Sequence, residues 1–367
     1  MKRTDITSIQ PITFEKIDNY VDNFSKISDV ASDLLYETRQ ENIRPWITVV
    51  IPTYDRKELL YQALRSVITQ DEVLFPWDVI IVDNTPLDEK GETPALSMMK
   101  TITARNVKLY HNQQNLGSGY NWNRAVELAQ GEWICFLHDD DVLCRDALKQ
   151  IGRLLKKYGK VSTKLGYLSA RRVEFGEAFD NRTSQEFKRQ SQEILTRFGV
   201  LVCGHTGAGA PTCGTTILKK AYIEAGGINY DFGPSADAVL CYQIMKNYDV
   251  ITTDCVIGGY RWNQNASLNK QTLLDFIRAD DLLMQYAYQK NSKTALWGRC
   301  FGAAISWRNI WRKNNIATQY GIPINREEFA QASCFSRPSV VNQNLYLALY
   351  ASYRLLRKII GSIMFNW

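Results

Sequence analysis

Histidine is scarce in this chain, with three copies among 367 residues, which leaves no histidine-rich metal centre to build. Cysteine occurs eight times but never as C-x-x-C, and copies such as Cys135 and Cys241 sit inside apolar runs. That usage excludes a zinc ribbon or a disulfide framework and reads as reduced core thiols of a cytosolic protein. No internal repeat or low-complexity stretch stands out, and the N-terminus lacks a basic segment followed by an apolar core, so no secretory signal is expected. Basic charge is also missing from most of the length. Residues 299–367 carry nine Lys and Arg against Glu327 and Glu328, while the whole chain is only +6. A body without basic excess argues against nucleic-acid binding, and the basic tail points to an anionic surface met by the C-terminus.

What is present is a pattern of alternating strands and helices. Hydrophobic residues make up 45% of the chain, enough for the core of one large α/β domain with an appendage. Ile47 to Pro52 is a β-branched strand, and Asp55 with Glu58 three residues on predicts a capping box. Leu60, Leu64, Val67 and Ile68 then recur at helical spacing. Further strands are expected at Trp77 to Val82, Val107 to Tyr110, Trp133 to Leu137 and Thr215 to Leu218. Such alternation implies right-handed crossovers and a doubly wound, mainly parallel sheet. Thr53, Asp83 and the triplet Asp139, Asp140, Asp141 all fall just beyond strand carboxyl ends, where ligands gather in open α/β sheets. Three adjacent carboxylates repel unless a cation or solvent neutralises them, and hard oxygen ligands suit Mg²⁺ or Mn²⁺ carrying a phosphorylated substrate. The plainer alternative is an acidic helix start, with Asp141 capping a helix from Val142.

The order IPTYDR, IIVDN, N-x-G-x-x-x-x-x-N-x-A (Asn115, Gly117, Asn123, Ala125), A-x-G-E-W-I-x-F-L and the acidic triplet resembles family 2 glycosyltransferases. The resemblance is strongest over Trp46 to Asp146 and continues more loosely to about Ser267. It implies a GT-A fold, a Rossmann-like mixed sheet flanked by helices, with a C-terminal helical appendage. It implies a division into a polar, partly helical lead-in (1–44), a nucleotide-sugar-binding half (45–150), an acceptor-binding catalytic half (151–270) and a helical region (271–367). The donor it implies is a nucleotide diphosphate sugar, of uridine in the usual case. Pro52, Thr53 and Tyr54 would line the base pocket, Asp83 would accept from uracil or ribose, and Asn115, Gly117 and Asp139 would complete the donor site. For Tyr54 core packing is the alternative, and for Asp83 a turn cap with Asn84. In the family's acidic motif two Asp flank one residue, and the later Asp ligates the metal. Aligning GEWICFL puts His138 at the earlier position and Asp140 at the later, so Asp140 and Asp141 are the expected ligands of Mn²⁺ or Mg²⁺, with His138 a further candidate.

The resemblance also implies an inverting transfer, in which a carboxylate takes the proton of the attacking hydroxyl. The family's base lies in an acidic pair after a G-G motif. Here Gly226-Gly227-Ile228 is followed by Asp237 alone, with Ala236 at the paired position, so Asp237 is the expected base and Asp231 the fallback; a plain helix cap is the alternative for Asp237. Arg261, in YRWN, corresponds to the closing loop that engages the leaving diphosphate, with a surface ion pair as its alternative, and Asn263 replaces the usual His. The segment Gly204 to Lys220 has a glycine-rich loop before its strand that suits acceptor contact better than phosphate binding, and His205 could be a site or a surface residue.

The last segment predicts an amphipathic helix. Leu345, Leu349, Tyr353, Leu356, Ile360, Ile363 and Trp367 fall on one face, and Arg354, Arg357 and Lys358 on the other. The basic cluster interrupts the apolar run well short of the ~20 residues that span a bilayer. A helix lying in the membrane interface fits, with packing on its own protein or a dimer partner as the alternative. The expectation is an enzyme at the inner face of the cell membrane, extending a saccharide, lipid-linked in many relatives, for a surface polysaccharide or glycoconjugate such as a capsule. A polyprenyl-phosphate sugar synthase and a degenerate, non-catalytic membrane scaffold are the alternatives, and homo-oligomerisation stays open. A sugar-nucleotide pyrophosphorylase is set aside because PTYDRK lacks the required glycine-rich basic loop.

Overall fold

The computed structural model describes residues 13–39, 43–179, 182–187, 193–196, 213–262, 268–290, 292–335 and 343–364. The chain begins with α1 (Phe14–Asp18) and β1 (Ser32–Glu37), then β2 (Ile47–Thr53), α2 (Lys57–Ile68), β3 (Trp77–Asp83) and α3 (Pro94–Met99). It continues through β4 (Val107–Asn112), α4 (Gly117–Leu128), β5 (Trp133–Phe136), β6 (Val142–Leu143), α5 (Ala147–Gly159) and β7 (Leu165–Phe175). Next come α6 (Ser184–Phe187), β8 (Glu193–Thr196), β9 (Thr216–Leu218), α7 (Lys219–Glu224), α8 (Ala236–Met245) and β10 (Asp249–Arg261). Four helices close the described chain: α9 (Lys270–Lys290), α10 (Ser292–Gln319), α11 (Arg326–Ala332) and α12 (Gln343–Met364).

One mixed sheet runs β1-β4-β3-β2-β5-β9-β7-β10-β6, with β8 also on β10. Its centre, β4-β3-β2-β5, is parallel, and β9 joins it antiparallel. Alternate residues of these strands serve opposite faces, as a pleated strand requires. Val49, Ile51, Val79 and Ile81 pack under α2 and α5, while Val50, Ile80, Val82 and Phe136 pack under α4 and α8. Burying such side chains contributes about 1.5–3 kcal/mol each. Both faces are therefore covered, which explains why the strands read as continuous apolar runs.

Three local expectations are corrected. Asp55 does not cap α2: it takes a left-handed φ of 51°, and the N-cap is Arg56, with no side-chain hydrogen bond. Asp55 instead donates its N–H to Thr85 Oγ1 at 2.8 Å, tying the β2 exit to the β3 exit. No helix starts at Val142. Val142–Leu143 is a short strand on β10, and α5 begins at Ala147. The lead-in is more than an appendage, since β1 pairs antiparallel with β4 and Ile17 is fully buried under α8.

The C-terminal helix also departs from the single-face pattern. Tyr353 is buried against Met284, Tyr288 and Ile305, and Tyr346 stacks on Trp307. A tyrosine stripe thus packs α12 on its own protein, while Leu345, Leu347, Leu355 and Leu356 are exposed. The side chains of Arg354, Arg357, Lys358, Ile360 and Ile363, and all of Trp367, lie outside the described residues. Among the described residues no helix is long and apolar enough to cross a membrane.

Candidate active site

Three strand exits build one edge of the site. β2 delivers Thr53, Tyr54 and Arg56; β3 delivers Asp83, Asn84 and Thr85; the turn after β5 carries His138 to Asp141. Because β6 follows that turn and pairs with β10 at Gly258 and Gly259, the end of β10 is brought back against the acidic triplet. The N–H of Arg261 donates to Asp141 Oδ1 at 3.0 Å.

The three aspartates face different partners. Asp139 accepts from Thr53 Oγ1 at 2.8 Å and from Arg56 Nη1 at 3.3 Å. Asp140 Oδ2 accepts from Arg56 Nη1 at 2.8 Å. Asp141 is fully buried, and its Oδ2 has no hydrogen-bond partner among the described residues. Burial, reinforced by the charge of Asp140, pushes the Asp141 carboxyl well above the usual range, against the pull of Arg261 and Arg172. Burial also pushes Asp139 up to about 6, with Arg56 opposing. Ligand atoms of His138, Asp140 and Asp141 lie within 4.8 Å of one another. A buried carboxylate oxygen with no donor, beside a second carboxylate and an imidazole, is a donor set that fits a divalent cation.

The other donor-site candidates are deeper or more tightly engaged. Pro52 and Tyr54 are half-buried at the exit of β2. Asp83 is fully buried and accepts from the Thr85 N–H at 2.8 Å and from Thr85 Oγ1, acting as a turn cap in this structure. Burial raises its pKa. Asn115 Oδ1 accepts the Gly117 N–H at 2.8 Å, and Gly117 opens α4 at a φ of 74° that favours glycine. Asn84, Asn112 and Asn121 form a buried amide chain beneath it, joining β3, β4 and α4. Asn123 reaches the other half: its Oδ1 accepts from Tyr222 and from the Ile228 N–H, each at 2.8 Å, and its Nδ2 donates to Ile228 O at 2.9 Å. A Cβ on Gly227 would come within 2.8 Å of that same Oδ1, and Gly227 has a φ of 71°.

Arg261 does not point outward. It is 5% exposed, its Nε donates to the Asp140 carbonyl, its Nη1 to the Gly176 and Glu177 carbonyls, and its Nη2 to Gln62 Oε1 at 2.7 Å. The guanidinium also lies over the Phe175 ring at 4.5 Å. In this structure it braces the acidic turn, and a diphosphate could reach it only by displacing these bonds. His205, the 204–212 stretch and Asn263 lie outside the described residues.

Asp237 opens α8, and its Oδ1 accepts the Ala238 N–H at 2.6 Å. Burial pushes its carboxyl up to about 6; Asp280 adds to the rise, and Arg172 opposes it. The Arg172 guanidinium lies over the Tyr260 ring at 5.3 Å and acts electrostatically on both Asp141 and Asp237. Those two carboxylates therefore share one cationic neighbour. The fallback, Asp231, is exposed and paired with Lys26 at 3.0 Å. The helical region joins here as well: α9 packs on the 230–235 turn, Asn309 donates to Asp280 at 3.4 Å, and Lys313 lies over Phe276 at 4.1 Å. Arg56, Arg172 and Asp280 were not among the residues picked from sequence. Arg56 had a visible signal, two residues after Tyr54 in IPTYDR, whereas the other two lie outside any motif.

Residues 48–224 match the sequence model of glycosyl transferase family 2. The chain is similar to the putative teichuronic acid biosynthesis glycosyltransferase TuaG of Bacillus subtilis, 29% identical over 30% of this chain and 41% of that protein. It is also similar to the putative colanic acid biosynthesis glycosyl transferase WcaA of Escherichia coli, 35% identical over 26% and 33%. The chain thus spans less than half the length of the curated relatives it matches. Among solved structures, S. aureus TarS 1–349 in complex with UDP-GlcNAc has a TM-score of 0.51 at 14% identity, covering 78% of this chain and 79% of that one. The mannosyltransferase PcManGT from Pyrobaculum calidifontis, in complex with GDP-Man and Mn²⁺, has a TM-score of 0.50 at 18% identity, covering 96% and 93%. The fold is that of GT-A glycosyltransferases.

Proposed function

Because residues 48–224 of this chain match the model of glycosyl transferase family 2, we propose that it transfers a sugar, with inversion, from a nucleotide diphosphate sugar to a saccharide hydroxyl. The observation that carries this reading is the buried Asp141 Oδ2 without a donor, set beside His138 and Asp140 at the carboxyl edge of the sheet. A uridine diphosphate sugar is the preferred donor, supported by the UDP-GlcNAc complex of TarS; the GDP-Man complex of PcManGT makes guanosine the competitor. Pro52, Thr53 and Tyr54 would border the base, with Asp83 and the Asn115–Gly117 turn fixing the shape beneath it. His138, Asp140 and Asp141 would hold Mn²⁺ or Mg²⁺. Such an ion supplies electrostatic stabilisation for the charge growing on the departing diphosphate.

The chain's own residues supply the rest. Asp237, once ionised, accepts the proton of the acceptor hydroxyl as that oxygen bonds to the anomeric carbon. The bond to the diphosphate oxygen breaks on the opposite face. A positioned base contributes about 10²–10⁴ in rate. Arg172, which acts electrostatically on both Asp141 and Asp237, favours the ionised base. Arg261 keeps the acidic turn in place.

The names of TuaG and WcaA place those proteins in polysaccharide biosynthesis, and we assign this chain the same kind of task, with a lipid-linked saccharide as acceptor. The exposed leucines of α12, in a basic C-terminal region, support attachment to the inner membrane surface. The test is mass-detected hydrolysis and transfer with UDP-, GDP- and dTDP-sugars, with and without Mn²⁺. One nucleotide class should be consumed, and Asp237→Asn should slow that consumption by about 10²–10⁴. No turnover of any nucleotide sugar, with undecaprenyl-linked saccharides supplied, would sink the reading.

A further inference from the structure

Arg56 is placed against the acidic turn in a way the proposed reaction does not use. Its Nη1 donates to Asp140 Oδ2 at 2.8 Å and to Asp139 Oδ1 at 3.3 Å. One guanidinium therefore lies on two of three adjacent carboxylates. Its backbone is fixed on both sides, because Arg56 is the N-cap of α2 and follows Asp55, whose left-handed conformation is held by Thr85. The side chain is freer, at 36% exposure. Asp139 has a second partner in Thr53, but Asp140 is also one of the three groups whose ligand atoms converge. The same carboxylate is thus claimed by a resident cation and by the cluster suited to a divalent ion.

We propose that Arg56 is a built-in counter-cation, which neutralises the Asp139–Asp140 pair in the ion-free protein and gives up Asp140 when a divalent ion binds. The proposal rests on the reading of His138, Asp140 and Asp141 as the ion's ligands. Two consequences follow from charge alone. The ion has to compete with Arg56, so its affinity in the absence of nucleotide is lower than the three ligands would give. A diphosphate offers the released guanidinium a new, two-pronged partner, so nucleotide and ion strengthen each other's binding. Arg56 is in this sense a positioning residue, coupling the two halves of the donor.

The experiment measures Mn²⁺ binding to the full chain by calorimetry and by electron paramagnetic resonance, with and without UDP. It compares the unaltered protein with Arg56→Gln, Arg56→Met and Arg56→Lys. Removing a partly exposed competing ion pair should tighten Mn²⁺ about three- to tenfold without UDP. In the same variants the strengthening by UDP should shrink, while Arg56→Lys stays close to the unaltered protein. Thermal unfolding adds a second readout: Arg56→Gln should melt lower without Mn²⁺ and gain more from Mn²⁺ than the unaltered protein does. A purely structural arginine would lower the melting temperature without tightening the ion. Equal or weaker Mn²⁺ binding in both neutral variants overturns the proposal and leaves the ligand assignment standing. Absence of Mn²⁺ binding in every protein, with UDP present, overturns both.

Discussion

The acidic turn after β5 and the start of α8 both present desolvated carboxylates, yet they are neutralised in opposite ways. At the turn, Asp139 and Asp140 share the directly bonded guanidinium of Arg56, and Asp141 takes a backbone N–H from Arg261. At α8, Asp237 accepts the N–H of its neighbour Ala238, and the charged groups that tune it, Asp280 and Arg172, act through space with opposite sign. A carboxylate cluster braced by a cation is suited to exchanging one cation for another. A single carboxyl pushed up to about 6 is suited to taking and releasing a proton. The two regions are chemically distinct although the same forces, burial and nearby charge, act on both.

The sharpest way to break this comparison is to neutralise each side separately. Asp237→Asn should lower kcat by about 10²–10⁴ and leave Mn²⁺ affinity intact. Asp140→Asn should instead weaken Mn²⁺ binding by at least roughly tenfold, as loss of a charged hard ligand implies. If either variant lost both properties to the same degree, the division of labour would be wrong. Stability should respond most where the halves are joined. Asn123→Ala leaves the Tyr222 hydroxyl and the N–H and carbonyl of Ile228 unpaired, at a cost of about 2–4 kcal/mol in denaturant unfolding.

A pH series sharpens the comparison further. Only ionised Asp237 can accept a proton, so kcat should climb with pH to a plateau, with a midpoint near the value of about 6 set chiefly by burial. The proton is held more tightly folded than unfolded, so ionising Asp237 costs stability as pH climbs from 3.8 through about 6; Asp237→Asn should remove that share. The smallest effect is expected for Asp280→Asn. Removing the negative neighbour that raises Asp237 should move the kcat midpoint downward. An upward or absent shift would mean that α9 does not reach the site.

The sheet was the most legible part of the sequence. β2, β3, β4 and β5 are apolar runs between breakers, and once their order was clear, Thr53, Asp83 and the triplet had to lie at strand exits. What failed depended on partners far along the chain. Asp55 with Glu58 has the spacing of a capping box, but the turn to Thr85 drew Asp55 into a left-handed conformation instead. The diphosphate role of Arg261 stays an expectation; what no local motif announced is that Gln62 and three carbonyls take its donors. Strand β1 hid because an edge strand can alternate with solvent and needs no apolar run. The stripe on α12 was misplaced because leucines and tyrosines offer several apolar faces at helical spacing. Only the surface of α9 and α10 selects Tyr353.

The lead-in holds a lesson for anyone handling the protein. Asn23 donates from both its backbone and its side chain to the Gly226 carbonyl, 203 residues away, and the Tyr20 hydroxyl donates to the Gly227 carbonyl. Trimming those polar first residues to obtain a tidier recombinant domain would cut the moorings of the loop that sets α8, and with it the aim of Asp237.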